Sequence, residues 1–315
     1  MINFNQLRIF YQTAKYQNCT VAAEKLFISQ PAVTAQVKAF QEFCNLKLFK
    51  KMGRKIYLTD EGKSLYEYVR KVFEYEKEIE DTIEDMRLLK KGVLRLGTTK
   101  TYALSYMPFF ISRFRQSYPH IKIHLDEGSS LQMANSLLDL QNEIVIVAKV
   151  EDNHQIRFVP FCQEEIVVLL SPDHHLSKRK SIAMADLSKE PIIMKEEGSG
   201  TRKALNDAFA QKGLVPNILM ETNNTDFIKQ LVVRGDGISF LVSAAVSTEL
   251  EEKKLVTVPI ENCQILAGVS IAYLRNQHLS TPAQAFLAIL EGLSPEGTPL
   301  QNIGSLVARM VVATQ

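Results

Sequence analysis

Along residues 1–91 apolar positions recur every three or four residues, the spacing of one helix face. Leu7, Phe10 and Ala14 share such a face and predict a first helix. The stretch 20–43, TVAAEKLFISQPAVTAQVKAFQEF, predicts two more. Thr20 is the expected N-cap of a short helix through Leu26, and Phe27 and Ile28 carry the chain through a turn. Ser29 caps a longer helix with Pro31 in its first turn, where a missing N–H costs nothing. That helix sets Ala32, Val33, Ala35, Val37 and Phe40 against Thr34, Gln36 and Lys38. A short helix, a tight turn and a longer helix with small polar residues on its open face suit a helix-turn-helix, whose second helix can lie in a DNA major groove. They also suit a plain αα-hairpin. Downstream, KLFKKMGRKIYLT places Gly53 in a turn and Ile56–Leu58 in a short returning strand, which reads as a β-wing.

From Thr59, an expected N-cap, the apolar pattern changes. Leu65, Val69, Val72, Glu76, Ile79, Ile83, Met86 and Lys90 fall at alternating spacings of four and three, a heptad seam. A helix packed on its own protein needs a broader stripe. The seam therefore predicts a dimerising coiled coil through Leu65, Val69, Val72, Ile79, Ile83 and Met86, with Glu76 as a polar exception in the register.

After Gly92 the period switches to strands alternating with helices. Val93–Gly97, Ile121–Leu125 and Ile144–Ala148 are expected strands, separated by a helix around Tyr102–Tyr118 and another from about Ser130. Strand and helix then alternate again. Strands are expected at Ile166–Leu170, Pro191–Met194, Asn217–Glu221, Gly237–Leu241 and Leu266–Leu274. Helices are expected near Thr201–Lys212, Asp226–Arg234, Ser243–Glu252 and Thr281–Leu293. This order predicts parallel sheets in two α/β lobes, with the late segments crossing back to complete the first. A cleft outside the strand ends, between the lobes, is the expected ligand site.

Charge sharpens the picture of the head. Residues 1–58 hold nine Lys and Arg against Glu24 and Glu42, a balance of +7 in a chain whose net charge is only +2. A basic head on a near-neutral body is the electrostatic footprint of nucleic-acid binding. Cys19, Cys44, Cys162 and Cys263 lie far apart with no CxxC pair, which argues for reduced thiols and a cytoplasmic setting. No secretory leader and no membrane-length apolar run is expected.

The run TVAAEKLFISQPAVTAQVKAFQEF followed by LKLFKKMGRKIYLTDEGK resembles the N-terminal domain of LysR-type transcriptional regulators. LRLGTT, YPHIKIHLDEGSS, VVLLSPDHHL, GSGTR, GDGISFL and LSTPAQAFLAIL are similar to the effector-binding domain of the same family. Ala35, Ala39 and Gln41 depart from frequent family residues, as does Val145, which stands where an Asp is usual.

The resemblance implies an N-terminal all-α winged helix-turn-helix (1–58) and a long linker and dimerisation helix (59–91). An α/β two-lobed, periplasmic-binding-protein-like effector domain (92–294) would follow. Lobe I would hold 92–161 plus 268–294, and lobe II 162–267, with a tail at 295–315 beyond the resemblance.

By the same resemblance, Ser29, Gln30, Pro31 and Thr34 would face base edges, and Lys38, Lys50, Arg54 and Lys55 would neutralise phosphates. Thr99, Lys100, Thr101, Ser130, Ser199, Thr201 and Arg202 are the expected effector contacts. Hydroxyls and backbone N–H groups at helix starts there favour an anion. Capping of their own helices is the plainer role for those hydroxyls. Expected partners are double-stranded DNA, a small effector, a second copy in a homodimer or homotetramer, and RNA polymerase.

No cofactor and no metal site is expected. His174-His175 has no partner at helix or hairpin spacing, and GSGTR is not a P-loop. No catalytic motif is present, so an enzyme is not expected. The alternative is a cytoplasmic solute-binding or sensory protein whose head binds another protein.

Overall fold

The computed structural model describes residues 1–52 and 55–293. Arg54, the side chain of Lys55 and the tail at 295–315 lie outside the described residues. The chain divides after Asp85 into two compact units.

The first unit begins with α1 (Phe4–Tyr16), α2 (Cys19–Leu26) and α3 (Gln30–Cys44). Asn3 caps α1 and Ser29 caps α3, with Pro31 in its first turn. The cap of α2 is Asn18, not Thr20: its carboxamide oxygen accepts from the N–H groups of Thr20 and Val21. Both residue types can cap; the helix starts at Cys19, two residues before the Val21 start that a Thr20 cap would need. Leu7 and Phe10 of α1 meet Phe40 of α3 and Leu48 in one core, while Ile9, Ala22, Ala23, Val33 and Val37 form another. β1 (Phe49–Met52) and β2 (Lys55–Leu58) pair antiparallel as the wing. Gln41 pins the wing to α3, its side-chain oxygen accepting from Leu48 N at 2.8 Å and Phe49 N at 3.1 Å.

α4 (Asp60–Arg87) follows, with the Thr59 hydroxyl accepting from Gly62 N at 3.0 Å. The heptad reading is corrected at Leu65, Val69 and Glu76. Val69 is 3% exposed and packs in the head's own core beside Phe73, and Leu65 packs half-buried against the same cluster. Glu76 is ion-paired with Arg8, whose guanidinium also lies over the Phe73 ring. The head therefore takes up Leu65, Val69 and Glu76. Val72, Ile79, Ile83 and Met86 stay exposed on the helix.

The second unit is built on one eight-stranded mixed sheet, β4-β3-β5-β10-β6-β9-β7-β8. In chain order its elements run β3 (Val93–Thr98), α5 (Lys100–Ser105), α6 (Met107–Ser117), β4 (Lys122–Glu127), α7 (Ser130–Leu138), β5 (Ile144–Ala148) and β6 (Ile156–Leu169). They continue with α8 (Met184–Leu187), β7 (Ile192–Lys195), α9 (Gly200–Gln211), β8 (Ile218–Thr222), α10 (Thr225–Arg234) and β9 (Ile238–Val242). A 3₁₀ turn (Ser243–Ala245), α11 (Ser247–Glu251), β10 (Ile265–Leu274) and α12 (Thr281–Glu291) complete it. The helix expected over Tyr102–Tyr118 is two: Tyr106 leaves the helical region, and Pro108 opens the first turn of α6. Likewise, the 3₁₀ turn and α11 replace the single helix expected over Ser243–Glu252.

β5 shows why strands here read as unbroken apolar runs. All five residues are buried, Ile144 and Ile146 in the core under α5, α6 and α12, Val145 and Val147 in the core under α7. Val145 thus fills an apolar layer with Met133 and Leu137, where a carboxylate would be stranded.

The expected strand at Ile166–Leu170 is the end of the much longer β6. Antiparallel to β10, β6 runs from one lobe into the other. The core beneath β6 changes between Cys162 and Ile166, and beneath β10 between Ala267 and Val269. A register shift falls in the pairing between Val269 and Ser270, opposite Pro160–Cys162. Proline has no N–H for the ladder, so a bulge suits this crossing point.

Candidate functional site

On the head, Ser29, Gln30, Pro31 and Thr34 are all exposed at the start of α3. Gln30 and Thr34 are one helical turn apart and already engaged: the Gln30 carboxamide donates to the Thr34 hydroxyl at 3.0 Å, which donates to Gln30 O at 3.1 Å. This fixes their rotamers on an otherwise open face. Lys38 is exposed and 3.7 Å from Glu42, and Lys50 and Lys51 stand exposed on β1. A capped helix presenting small polar side chains, flanked by cationic ones, can enter a groove and meet phosphates on its rim.

In the body, a cavity of about 640 Å³ lies at the ends of β3, β5, β7 and β9. Four helix starts line it. Thr99 precedes α5, Ser129 precedes α7, Ser199 precedes α9 and Asn224 precedes α10. Six of the expected effector residues line this cavity: Thr99, Lys100, Thr101, Ser130, Ser199 and Thr201.

Arg202 does not. Its guanidinium pairs with Glu221 at 2.7 Å and donates to Lys195 O at 3.2 Å, tying α9 to β7 and β8. The pairing holds the Glu221 carboxyl below its usual range, chiefly through the hydrogen bond from Arg202. In the sequence Arg202 follows the cavity residues directly, but a helix turns about 100° per residue, and Arg202 faces the strands.

Sequence reasoning missed Lys195, Ser129, Gln132 and the Asn223–Thr225 run. Lys195 ends β7, so the rule placing ligands at the carboxyl ends of strands could have found it. Asn224 was legible as an N-cap from its residue type; its side chain accepts from Asp226 N and Phe227 N.

The side chains do not make the cavity cationic. Lys100 pairs with Asp226 of α10 at 3.0 Å. Lys195 pairs with Glu196 at 3.0 Å and donates to Asn223 O at 2.7 Å. Glu127 and Glu197 also contribute to the lining. What partial positive charge the wall carries comes from helix N-termini. α5, α7 and α10 are capped by their own side chains, α7 by a full capping box between Ser129 and Gln132. The start of α9 is different. Ser199, 7% exposed, makes no capping hydrogen bond, which leaves the first N–H groups of a 12-residue helix facing the cavity region uncapped.

The glycines of GSG serve a purpose other than ligand approach. A Cβ on Gly200 would lie 2.2 Å from the Ala148 Cβ, and one on Gly198 2.8 Å from the Leu131 Cβ. Gly198, at φ +79, accepts a hydrogen bond from Leu131 N at 3.1 Å. The loop is therefore small because it docks on the neighbouring lobe.

Folding also gives His174 and His175 the partner missing at short spacing, Glu190, at 3.5 and 3.1 Å. His174 Nδ1 accepts from Leu176 N, so its Nε2 carries the proton and can donate to Glu190. The two imidazoles and the carboxylate form a clasp between two loops, a three-residue cluster that the spacing did not show.

An exposed, cation-flanked helix start in the head and a cleft between two lobes at the strand ends of the body are the features of a ligand-responsive DNA-binding regulator. Comparison with known proteins gives the family. Residues 4–63 match the bacterial regulatory helix-turn-helix protein, lysR family, and residues 88–294 match the LysR substrate binding domain. The chain is 34% identical over 286 residues to the HTH-type transcriptional activator CmpR of Synechocystis sp., covering 91% of this chain and 94% of that protein. It is 30% identical over 285 residues to a RuBisCO operon transcriptional regulator of Allochromatium vinosum, covering 90% and 94%. Among solved structures, the Synechocystis CcmR regulatory domain in complex with 2-PG is 27% identical with a TM-score of 0.60, over 65% of this chain and 99% of that one. Full-length CbnR complexed with its target DNA shares the fold, at a TM-score of 0.65 and 18% identity over 92% and 99%. The protein belongs to the LysR family of transcription regulators, which are not enzymes.

Proposed function

We propose that this regulator's DNA binding, or its activation of transcription, is controlled by a small anionic effector held between the lobes of its body. The observation carrying the anion reading is the uncapped start of α9, with the Ser199 hydroxyl uncommitted beside it in the cavity wall. An anion there gains backbone N–H donors and the positive end of the helix. Thr99, Lys100, Thr101, Ser130 and Thr201 line the same space as candidate contacts. The similar CcmR domain was solved with 2-PG, which makes that compound the first probe.

In this reading residues 1–58 are the DNA-binding head, 59–91 the linker, and 92–294 the effector domain. Lobe I is 92–161 plus 268–294, and lobe II 162–267. Ser29, Gln30, Pro31 and Thr34 read base edges, and Lys38, Lys50, Arg54 and Lys55 contact phosphates. The exposed Val72, Ile79, Ile83 and Met86 pair two copies, and pairs of dimers form a tetramer. The protein works in the cytoplasm, with RNA polymerase as a further partner. Among the described residues, no helix is long and apolar enough to cross a membrane.

Thermal shift and titration calorimetry on the full chain with 2-PG, inorganic phosphate and uncharged analogues test the effector reading. Anions are expected to stabilise the protein and Ser199→Ala to weaken them severalfold; stabilisation by uncharged compounds alone overturns it. Mobility shifts test the head. Gln30→Ala should cost about tenfold in specific affinity, and Lys50→Ala should lower the salt slope by about one. Salt-independent retention, or indifference to Gln30→Ala, would point instead to a head that binds protein.

A further inference from the structure

Phe27 is the residue of the helix-turn-helix that folding leaves unexplained. It ends α2 in the left-handed region, φ 55 and ψ 37, with its N–H donating to Ala23 O and Glu24 O. Glycine or asparagine suits that conformation; a bulky side chain is strained in it. Among the described residues of the head, nothing offsets the strain. The ring is 96% exposed and joins neither of the head's apolar clusters. In an isolated head, then, Phe27 costs backbone energy and leaves an aromatic surface in water.

Its position supplies the missing partner. Two residues further on Ser29 caps α3, and Gln30, Pro31 and Thr34 stand exposed beyond it. Ile28, beside Phe27, is 39% exposed, and Lys25 is exposed in the last turn of α2. In a helix-turn-helix the first helix crosses the DNA backbone while the start of the second enters the major groove. The turn between them thus lies over the groove wall. The apolar surfaces of DNA there are deoxyribose edges and thymine methyl groups. The head's balance of +7 in residues 1–58 brings that surface close to it.

We infer that Phe27 is a DNA-contact residue, its ring packing on the apolar wall, deoxyribose or thymine methyl, of the groove that α3 enters. The inference rests on α3 being the reading helix. Phe27 adds affinity that carries no charge, so it is independent of the counterion term that the lysines set. Through a thymine methyl it also adds sequence preference at the edge of the half-site.

The test uses full-length protein and an operator that the protein itself selects from random duplexes. Wild type, Phe27→Gly, Phe27→Asn, Phe27→Leu and Gln30→Ala are compared over a salt series, with a thermal melt of each. Glycine and asparagine relieve the left-handed strain, so their melting temperatures should hold or rise. Operator affinity should nonetheless fall about tenfold, as expected if some 60 Å² of apolar surface is no longer covered. The slope of log affinity against log salt should not change, and Phe27→Leu should restore most of the affinity. Replacing thymine by uracil across the operator separates the two surfaces: a matching loss with wild type alone assigns the methyl, and no loss assigns deoxyribose. Glycine and asparagine variants that bind within twofold of wild type overturn the proposal. So does a loss of affinity accompanied by lower melting in both, which assigns Phe27 to the fold. If Gln30→Ala also binds normally, the reading of α3 itself fails.

Discussion

In the head, the candidate reading residues sit within six consecutive positions, the cap Ser29 to Thr34, and are all exposed at the start of α3. In the body, the cavity is lined from the starts of α5, α7, α9 and α10, which are spread from Thr99 to Thr225 in the sequence. The first surface exists as soon as one helix forms and packs its apolar face. The second exists only once a sheet has ordered its strands and two lobes have met. A surface of the first kind tolerates changes elsewhere in the protein. A surface of the second kind responds to whatever moves one lobe against the other, the property a sensor needs.

The largest expected effect that sharpens this contrast is at Gly200. A Cβ there would lie 2.2 Å from Ala148, so Gly200→Ala must displace the α9 start from the neighbouring lobe. Overpacking of this kind costs about 1–3 kcal/mol. Calorimetry should show the body melting several degrees earlier and losing any anion shift the wild type has, while operator binding by the head is unchanged. A body that melts normally would refute the close docking of the two lobes.

Next comes a pair on α4. Val69→Ala removes buried methyls from the head core and should cost about 2 kcal/mol in denaturant unfolding. Ile79, 59% exposed, should cost almost nothing as Ile79→Ala in the monomer but weaken self-association in sedimentation. Equal losses of stability at both positions would mean that α4 does not divide its two faces in this way.

The smallest effect is at the His174 clasp. Burial lowers His174 from its ordinary 6.5, against the pull of Glu190. The unfolded chain therefore takes up the proton first, and stability falls as pH drops below about 6.5 until the folded group also titrates. Denaturant curves between pH 7.5 and 5 should show the wild type losing more stability than His174→Gln. The reverse order would mean that the charged form is the one held by Glu190.

The sequence made the helix-turn-helix legible in detail because its signals are local. Apolar spacing, Ser29 and Pro31 act within a turn of where they are read. Even so, it could not choose between Asn18 and Thr20 as the cap, since both residue types qualify and only the helix start decides. The strands of the body were also legible, β5 to the residue, because a doubly buried strand is an unbroken apolar run. The beginning of β6 was not. Its pairing with β10 joins residues more than a hundred positions apart, and no local pattern marks that contact. At its first positions the heptad seam misled for a related reason. Leu65 and Val69 have the right period, but period does not say whether the apolar face meets a second chain or the head it emerges from.

The sequence by itself determined that this protein has a basic head built on a helix-turn-helix, a long helix and a two-lobed α/β body. Each of these follows from periodicity, capping and charge within short stretches. Tertiary structure alone decided that Arg202 serves Glu221 rather than a ligand, that Lys195 and Thr225 join the cavity wall, and that Gly200 is small to admit Ala148. Those are contacts between segments far apart in the chain. Their partners are chosen by strand order and lobe docking, which no single stretch of sequence specifies.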